Sequence, residues 1–185
     1  MLTRDEALKV LEDGEEIISA EEVSRAVRRI ATEIEAALSD KQPLLLSIMG
    51  GAVVFTGQLL PLLNFPLDFD TIHVTRYGSE TRGGELVWKL APRENVSGRV
   101  VLLLDDILDE GHTLAETREM VMKLGAKEVY CAVFTDKNIG RSKPIKADFV
   151  GLTLPNRFVF GYGMDVDGAW RNLPAIYAMK DDSTS

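Results

Sequence analysis

Residues 100–114 decide the fold, and their sequence is VVLLLDDILDEGHTL. Five consecutive apolar residues open the stretch, which predicts a strand buried on both faces of a parallel sheet. Acidic residues, a glycine and a threonine follow, and a helical pattern comes next. Ligands of open α/β sheets bind beyond the carboxyl ends of the strands, and a glycine turn into a helix N-terminus binds anions. We therefore expect a phosphate turn beside carboxylates, suited to a phosphorylated, metal-bound sugar.

Length and composition favour one globular domain. The chain has 185 residues, of which 45% are hydrophobic and 27% charged, as in ordinary globular proteins. A run of about 18 apolar residues would indicate a membrane span, and neither such a run nor a signal peptide is recognisable. We expect a cytoplasmic protein. The single cysteine, Cys131, agrees with a reducing compartment, and its apolar surroundings favour a buried structural residue over a catalytic thiol.

The net charge argues against two classes of partner. The chain carries 29 acidic and 21 basic side chains, for a formal net charge of −8. Nucleic acids and anionic membranes attract proteins with a positive field, so we expect neither as a partner. A small phosphorylated ligand can still bind where a divalent cation bridges carboxylates and phosphates.

Strand and helix patterns alternate along the chain. The S-x-x-E sequence from Ser19 to Glu22 is a capping box and opens an amphipathic helix. The pattern predicts helices over residues 4–12, 20–38, 52–63 and 113–124, strands over 44–49, 69–75, 86–90, 100–104, 129–134 and 149–154, and an irregular segment over 155–180. This alternation predicts an α/β fold with an open, mainly parallel twisted sheet flanked by helices on both faces.

Two segments resemble a known family. Residues 105–113, DDILDEGHT, resemble the phosphoribosyl-pyrophosphate motif of the type I phosphoribosyltransferases. Residues 158–165, FVFGYGMD, and 170–173, WRNL, resemble the purine-binding hood of the hypoxanthine-guanine branch. The resemblance covers roughly residues 10–180 in order. It implies one domain over 1–185, with a core over about 40–150 and a small hood built from the N-terminal segment and about 151–180.

The resemblance assigns the acidic residues of the motif to the ribose and the reacting base. Asp105 and Asp106 match the pair that meets the ribose 2′- and 3′-hydroxyls, and carboxylates can only accept hydrogen bonds from such donors. Paired acids are usually just solvated, but their place between a buried strand and a phosphate turn favours a binding role. Asp109 matches the catalytic residue near purine N7, where a carboxylate can act as an acceptor. Whether it removes a proton or stabilises positive charge stays open.

The next residues match the loop that binds the 5′-phosphate. These residues are Glu110, Gly111, His112, Thr113 and Leu114. Glu110 departs from the family, which usually has Thr or Ser there. Because a carboxylate repels phosphate, we expect its side chain to turn outward while its N–H binds. For His112, a solvent-facing position at the helix N-terminus is favoured over a catalytic role.

Pyrophosphate and magnesium are assigned to separate segments. Met49, Gly50 and Gly51 match the short pyrophosphate loop, although the family often has Lys or Arg in place of Met49. Arg171 matches the hood arginine that binds pyrophosphate, a task that suits a guanidinium. Asp165 matches a magnesium ligand and lies in the purine-binding segment. The resemblance thus implies Mg²⁺ as cofactor, held with Asp105 and Asp106, since magnesium takes one or two carboxylates plus phosphates and waters.

The resemblance assigns the purine to Lys137, Phe158 and Val159, together with Asp165. Lys137 matches the lysine that contacts the purine 6-position. An ammonium only donates hydrogen bonds, so it accepts a 6-oxo group and disfavours the 6-amino group of adenine. Phe158 matches the aromatic that stacks on the base, and Val159 the residue whose backbone contacts it. The alternatives are a core role for Phe158 and an ordinary exposed lysine at position 137.

A polar loop over residues 76–84 matches the segment that closes over the site. Arg76 and Tyr77 stand where the family has a Ser-Tyr pair that closes over the site during turnover, and we assign both to pyrophosphate binding. Closure would exclude water from a reactive ribosyl centre. Arg76 is also a candidate to supply the positive charge that Met49 lacks.

The resemblance implies transfer of a 5-phosphoribosyl group from phosphoribosyl pyrophosphate to N9 of hypoxanthine or guanine. Preference among hypoxanthine, guanine and xanthine stays open, and the family is commonly homodimeric or homotetrameric. The alternative is a non-catalytic regulator of the same fold that senses this ligand. Such regulators need a nucleic-acid surface, which an acidic chain without an added winged-helix segment does not offer. A P-loop kinase is disfavoured because the G-x-x-x-x-G-K-[ST] motif is absent from the sequence.

Overall fold

The chain forms a six-stranded sheet flanked by helices and a smaller three-stranded sheet. The computed structural model describes residues 1–77 and 85–180, with only the backbone described at 76, 77 and 85. The elements are α1 (Arg4–Asp13), β1 (Glu15–Ile18), α2 (Ala20–Leu38), β2 (Leu44–Ile48), α3 (Val53–Leu59) with a 3₁₀ turn (Leu60–Leu62), β3 (Asp68–Tyr77), β4 (Glu85–Leu90), β5 (Val100–Leu108), α4 (His112–Lys123), β6 (Glu128–Lys137), β7 (Phe149–Leu154), β8 (Val159–Phe160) and β9 (Ile176–Ala178).

The large sheet has the order β4-β3-β2-β5-β6-β7. Strands β3, β2, β5, β6 and β7 are parallel neighbours, and β4 adds an antiparallel edge. The predicted α/β class with a mainly parallel sheet is confirmed. Strand β5 lies between β2 and β6, near the middle of the sheet, so its carboxyl end opens beside those of its neighbours.

Strand β5 is buried on both faces. Leu102 and Leu104 pack in the cluster that contains the apolar face of α2 and α3, whereas Val101 and Leu103 pack in the cluster with Leu114 of α4. All five apolar residues at the start of the strand are buried. Because side chains alternate between the faces of a strand, a strand covered on both sides needs apolar residues at every position, as the sequence predicted.

Helix α2 begins at the predicted capping box. The Ser19 hydroxyl accepts from the Glu22 N–H, and the Glu22 carboxylate accepts from the Ser19 N–H at 2.9 Å. These reciprocal bonds satisfy donors that the first helical turn leaves open. Ile30 and Ile34 on its inner face are fully buried against the sheet. None of the helices in the described ranges is long and apolar enough to cross a membrane.

Two features differ from the sequence prediction. Strand β5 continues past the apolar run, because Asp105, Ile107 and Leu108 still pair with β6; the carboxylates therefore stand on the strand and not on a loop after it. The segment 155–180, predicted to be irregular, contributes β8 and β9, which join β1 in an antiparallel sheet with the order β1-β9-β8. Strands of two to four residues are too short to give a recognisable period of two.

Candidate active site

Adjacent carboxylates occupy the carboxyl end of β5. Asp105 and Asp106 are both half-buried. The Asp106 N–H donates to Asp105 Oδ1 at 3.0 Å, and the Ile107 N–H donates to Asp106 Oδ1 at 3.0 Å. Burial raises the pKa of Asp105 well above its ordinary value, and the charge of Asp106 raises it further. Burial also raises the pKa of Asp106. Two carboxylates held in this way favour a bound cation or several hydroxyl donors.

The glycine turn after β2 and the C-terminal segment both meet Asp106. A Cβ atom on Gly51 would lie 1.8 Å from Asp106 Oδ2. A Cβ atom on Gly163, whose φ is +97°, would lie 2.1 Å from the Gly51 carbonyl oxygen. Both positions therefore require glycine because of close approach. The half-buried Met49 and the exposed Gly50, joined by a cis peptide bond, complete this turn. Three distant parts of the sequence are thus brought together.

The turn after β5 leads directly into α4. Gly111 is the N-cap of the helix with a φ of +86°, a conformation that favours glycine. His112 and Thr113 are exposed at the first positions of the helix, while Leu114 is buried and anchors it. The N–H groups of a first helical turn have no intrahelical partner and point outward. The predicted anion-binding turn therefore has the required backbone geometry, and His112 is solvent-facing as expected.

The Glu110 carboxylate is directed toward a basic side chain. Its Oε1 accepts from Arg141 Nη2 at 2.5 Å, and both side chains are partly exposed. Arg141 belongs to the loop of residues 138–148, between β6 and β7. The ion pair offsets the negative charge that Glu110 would otherwise place beside the phosphate turn.

Lys137 and Asp109 form a pair at the ends of β6 and β5. Lys137 Nζ lies 2.8 Å from Asp109 Oδ2. Lys137 is only 8% exposed, so the alternative of an ordinary exposed lysine is wrong. Phe158 is 55% exposed and is therefore not a core residue. Val159, next to it, is buried in β8 and pairs with Ala178.

The C-terminal segment places a guanidinium near the carboxylates. Arg171 Nη2 lies 2.6 Å from Asp165 Oδ1, and Arg171 Nη1 donates to the Gly163 carbonyl at 2.6 Å. The charge of Arg171 also lowers the pKa of Asp106, against the larger effect of burial. Asp165 Oδ2 accepts from the Gly168 N–H at 2.7 Å. Arg171 thus pairs directly with Asp165 and acts on Asp106 through its charge.

Of the remaining candidate residues, Arg76 and Tyr77, the structure describes only the backbone. Arg76 and Tyr77 lie at the end of β3, but their side chains and the loop 78–84 lie outside the described residues. Within residues 1–77 and 85–180, no three His, Cys, Asp or Glu side chains gather into a metal site. The carboxylates of Asp105 and Asp106 are the groups that could hold a magnesium ion together with oxygens of a ligand, a mode common for magnesium.

Sequence reasoning missed three polar side chains at this end of the sheet. Thr135 donates its hydroxyl proton to the Asp106 carbonyl at 2.9 Å. Arg141 pairs with Glu110, and Lys143 donates to the ends of both β5 and β6. The only signal available was the concentration of basic residues over 137–146, which on its own indicates a solvated loop.

Comparison with known proteins places the chain in a family. Residues 13–167 match the model of the phosphoribosyl transferase domain. The chain is 35% identical over 165 residues to the hypoxanthine-guanine phosphoribosyltransferase of Bacillus subtilis (strain 168), covering 89% of this chain and 92% of that protein. The chain belongs to the hypoxanthine-guanine phosphoribosyltransferase family.

The chain is also similar to part of a longer protein and to a solved structure. The chain is 35% identical over 167 residues to the bifunctional protein TilS/HprT of Listeria innocua, which covers 90% of this chain but only 26% of that longer protein. Among solved structures, the hypoxanthine phosphoribosyltransferase of Trypanosoma cruzi has a TM-score of 0.85 at 30% identity, covering 92% of this chain and 98% of that one. The type I phosphoribosyltransferase fold expected from the sequence is confirmed.

Substitution of Asp105 in this phosphoribosyltransferase tests the electrostatics of the carboxylate pair. Because folding raises its pKa above that of the unfolded chain, the folded protein binds more protons between the two values and loses stability as the pH rises through that window. Asp105→Asn removes this loss. In EDTA, we expect the Tm of D105N to exceed that of the wild type by a margin that grows as the pH rises above about 4, the ordinary pKa of an aspartate.

The control for this measurement is Asp40→Asn, which changes an exposed aspartate at the end of α2. Its Tm should follow that of the wild type at every pH. A Tm for D105N below the wild type across the whole range, or a difference independent of pH, would contradict the assignment.

Proposed function

We propose that the chain transfers a 5-phosphoribosyl group from phosphoribosyl pyrophosphate to N9 of a 6-oxopurine, hypoxanthine or guanine, releasing pyrophosphate. The observation that carries this proposal is the Lys137–Asp109 pair at 2.8 Å, beside a carboxylate pair and a phosphate turn. Family membership supports it, and the relative in Bacillus subtilis is named for this activity. We also propose one domain over 1–185, with its core over about 40–150, a hood from the two ends of the chain, and a cytoplasmic location.

The donor substrate is proposed to bind across the ends of β2, β5 and α4. Asp105 and Asp106 would accept from the ribose 2′- and 3′-hydroxyls. The N–H groups of the turn and of the start of α4, over residues 110–114, would bind the 5′-phosphate. Pyrophosphate would meet the turn of residues 49–51 and the guanidinium of Arg171.

The carboxylates fit a magnesium ion brought with the donor. Asp105 and Asp106 are half-buried with raised pKa values, and a divalent cation would relieve their mutual repulsion. Asp165, already paired with Arg171 at 2.6 Å, is proposed as a further ligand near the purine. When bound, Mg²⁺ would neutralise charge on the departing pyrophosphate.

The purine edge that carries O6 and N7 matches the Lys137–Asp109 pair. Lys137 Nζ can donate to O6, and Asp109 can accept a proton or a hydrogen bond from N7–H. Adenine presents an amino donor beside N7, which would face the ammonium donor to donor, so that neither group gains an acceptor from the other at a buried position. The exposed ring of Phe158 would stack on the base, and the Val159 backbone would contact its far edge.

The reaction forms the N9–C1′ bond and breaks the bond between C1′ and pyrophosphate. Asp109 would stabilise the positive charge that develops on the base as N9 attacks, either by accepting a hydrogen bond from N7–H or by taking its proton. The segment that carries Arg76 and Tyr77 is proposed to cover the reacting centre and exclude water. Arg171, together with Arg76, supplies cationic side chains to a pyrophosphate site in which Met49 supplies none.

A non-catalytic regulator of the same fold is the second candidate from the sequence. It would bind phosphoribosyl pyrophosphate without turnover and would require a surface for nucleic acid. Identity of 35% with a named transferase over nine-tenths of the chain favours the enzyme. We propose a homodimer or homotetramer, and we expect neither nucleic acid nor a membrane as a partner.

A four-purine assay tests the proposed activity and the discriminating role of Lys137. With Mg²⁺ and phosphoribosyl pyrophosphate, hypoxanthine or guanine should be turned over, xanthine serves to define the 2-position, and adenine should react at least about 1,000-fold more slowly. Lys137→Met should lose activity on the 6-oxopurines because it removes the donor to O6. Faster turnover of adenine would contradict the role of Lys137, and ligand binding without any turnover would favour the regulator.

Gly51→Ala tests the close approach of the glycine turn to Asp106. The added Cβ would displace the Asp106 carboxylate, and a misplacement of about 1 Å costs roughly 100-fold in rate. We expect such a loss in kcat/KM for phosphoribosyl pyrophosphate with little change in Tm. Gly57→Ala is the matched control, since a Cβ there meets nothing within 4 Å. Full activity in the Gly51 variant would contradict the placement.

A further inference from the structure

Lys143 is a nearly buried lysine whose ammonium is fully hydrogen-bonded. It stands in the loop of residues 138–148, and its side chain is 10% exposed. Its Nζ donates to the Leu108 carbonyl at 2.6 Å, the Lys137 carbonyl at 2.6 Å and Asp136 Oδ1 at 2.5 Å. An ammonium has three protons to donate, and here each has an acceptor.

The acceptors of Lys143 are the two strand ends that carry the purine-binding pair. Leu108 ends β5 and directly precedes Asp109, while Asp136 and Lys137 end β6. Leu108 and Asp136 are partners in the β5–β6 register. The ammonium therefore fixes the peptide groups beside Asp109 and Lys137, whose side chains meet at 2.8 Å. Charge-assisted hydrogen bonds of this kind are stronger than neutral ones.

We propose that Lys143 is a positioning residue that sets the orientation of the Lys137–Asp109 pair and thereby the affinity for the 6-oxopurine. This inference rests on the proposed function. Lys143 would not contact the base, because all three of its ammonium protons already donate hydrogen bonds to protein acceptors. It would act by keeping the two side chains at the spacing of purine O6 and N7.

The affinity for phosphoribosyl pyrophosphate should depend much less on Lys143 than the affinity for the purine does. The Asp106 carbonyl is held by the Thr135 hydroxyl at 2.9 Å, and Asp105 is held by its pairing with β6. Arg141 independently connects the same loop to Glu110 at 2.5 Å. Loss of the Lys143 ammonium would thus leave the loop attached and the ribose carboxylates in place, while the ends of β5 and β6 beside the purine lose their common donor.

Steady-state kinetics of Lys143→Met and Lys143→Arg, with each substrate saturating in turn, tests the proposal. We expect K143M to raise the KM for hypoxanthine about tenfold, equivalent to about 1.4 kcal/mol, with the KM for phosphoribosyl pyrophosphate within about twofold. K143R, which retains donors, should recover part of the purine affinity. Lys146→Met is the matched control, because Lys146 is an exposed lysine of the same loop, and its kinetics should be unchanged.

A parallel rise in both KM values with a fall in Tm would overturn the proposal, because it would make Lys143 a tether of the loop only. Unchanged kinetics in K143M would overturn it as well. Should K143M fail to fold, Asp136→Asn keeps the ammonium and removes its charged partner; we expect a smaller rise confined to the purine KM, and no rise would overturn the proposal. Wild-type turnover in the same assay tests the proposed function separately.

Discussion

Burial of β5 on both faces is the constraint on which the rest of the structure depends. Its apolar residues alternate between a cluster with α2 and α3 and a cluster with α4, and all five are buried. A strand held from both sides and paired with two parallel neighbours has little freedom to shift. The polar residues that continue it are therefore delivered to a fixed position at the edge of the sheet.

That fixed position carries an electrostatic cost. Asp105 and Asp106 are adjacent, half-buried and raised in pKa, chiefly by burial. The surrounding structure compensates in part with the guanidinium of Arg171, and it lets Gly51 approach Asp106 without a side chain between them. Other carboxylates of the site form ion pairs with cationic side chains, namely Asp109 with Lys137 and Glu110 with Arg141. A site whose acidic pair is only partly neutralised by neighbouring cationic groups is suited to a ligand that arrives with a metal ion.

The features that were predicted correctly are those that short-range sequence patterns encode. The apolar run, the capping box at Ser19 and the turn at Gly111 predicted the sheet, helix α2 and the start of α4 within a few residues. The small sheet was not predicted, because β1, β8 and β9 contain only two to four residues each. In addition, β1 near the start of the chain pairs with β9 near its end. Arg141 and Lys143 escaped as well, since a basic residue on a polar loop is usually solvated, and only the folded chain places these two against β5 and β6.

Isothermal titration of phosphoribosyl pyrophosphate, with and without Mg²⁺, tests most directly whether the acidic end of β5 is the ligand site. The wild type should bind in a magnesium-dependent manner, and the Asp105→Asn/Asp106→Asn variant should lose at least about tenfold in affinity, about 1.4 kcal/mol, with a Tm no lower than that of the wild type. An unchanged dissociation constant in the folded double variant would contradict the account.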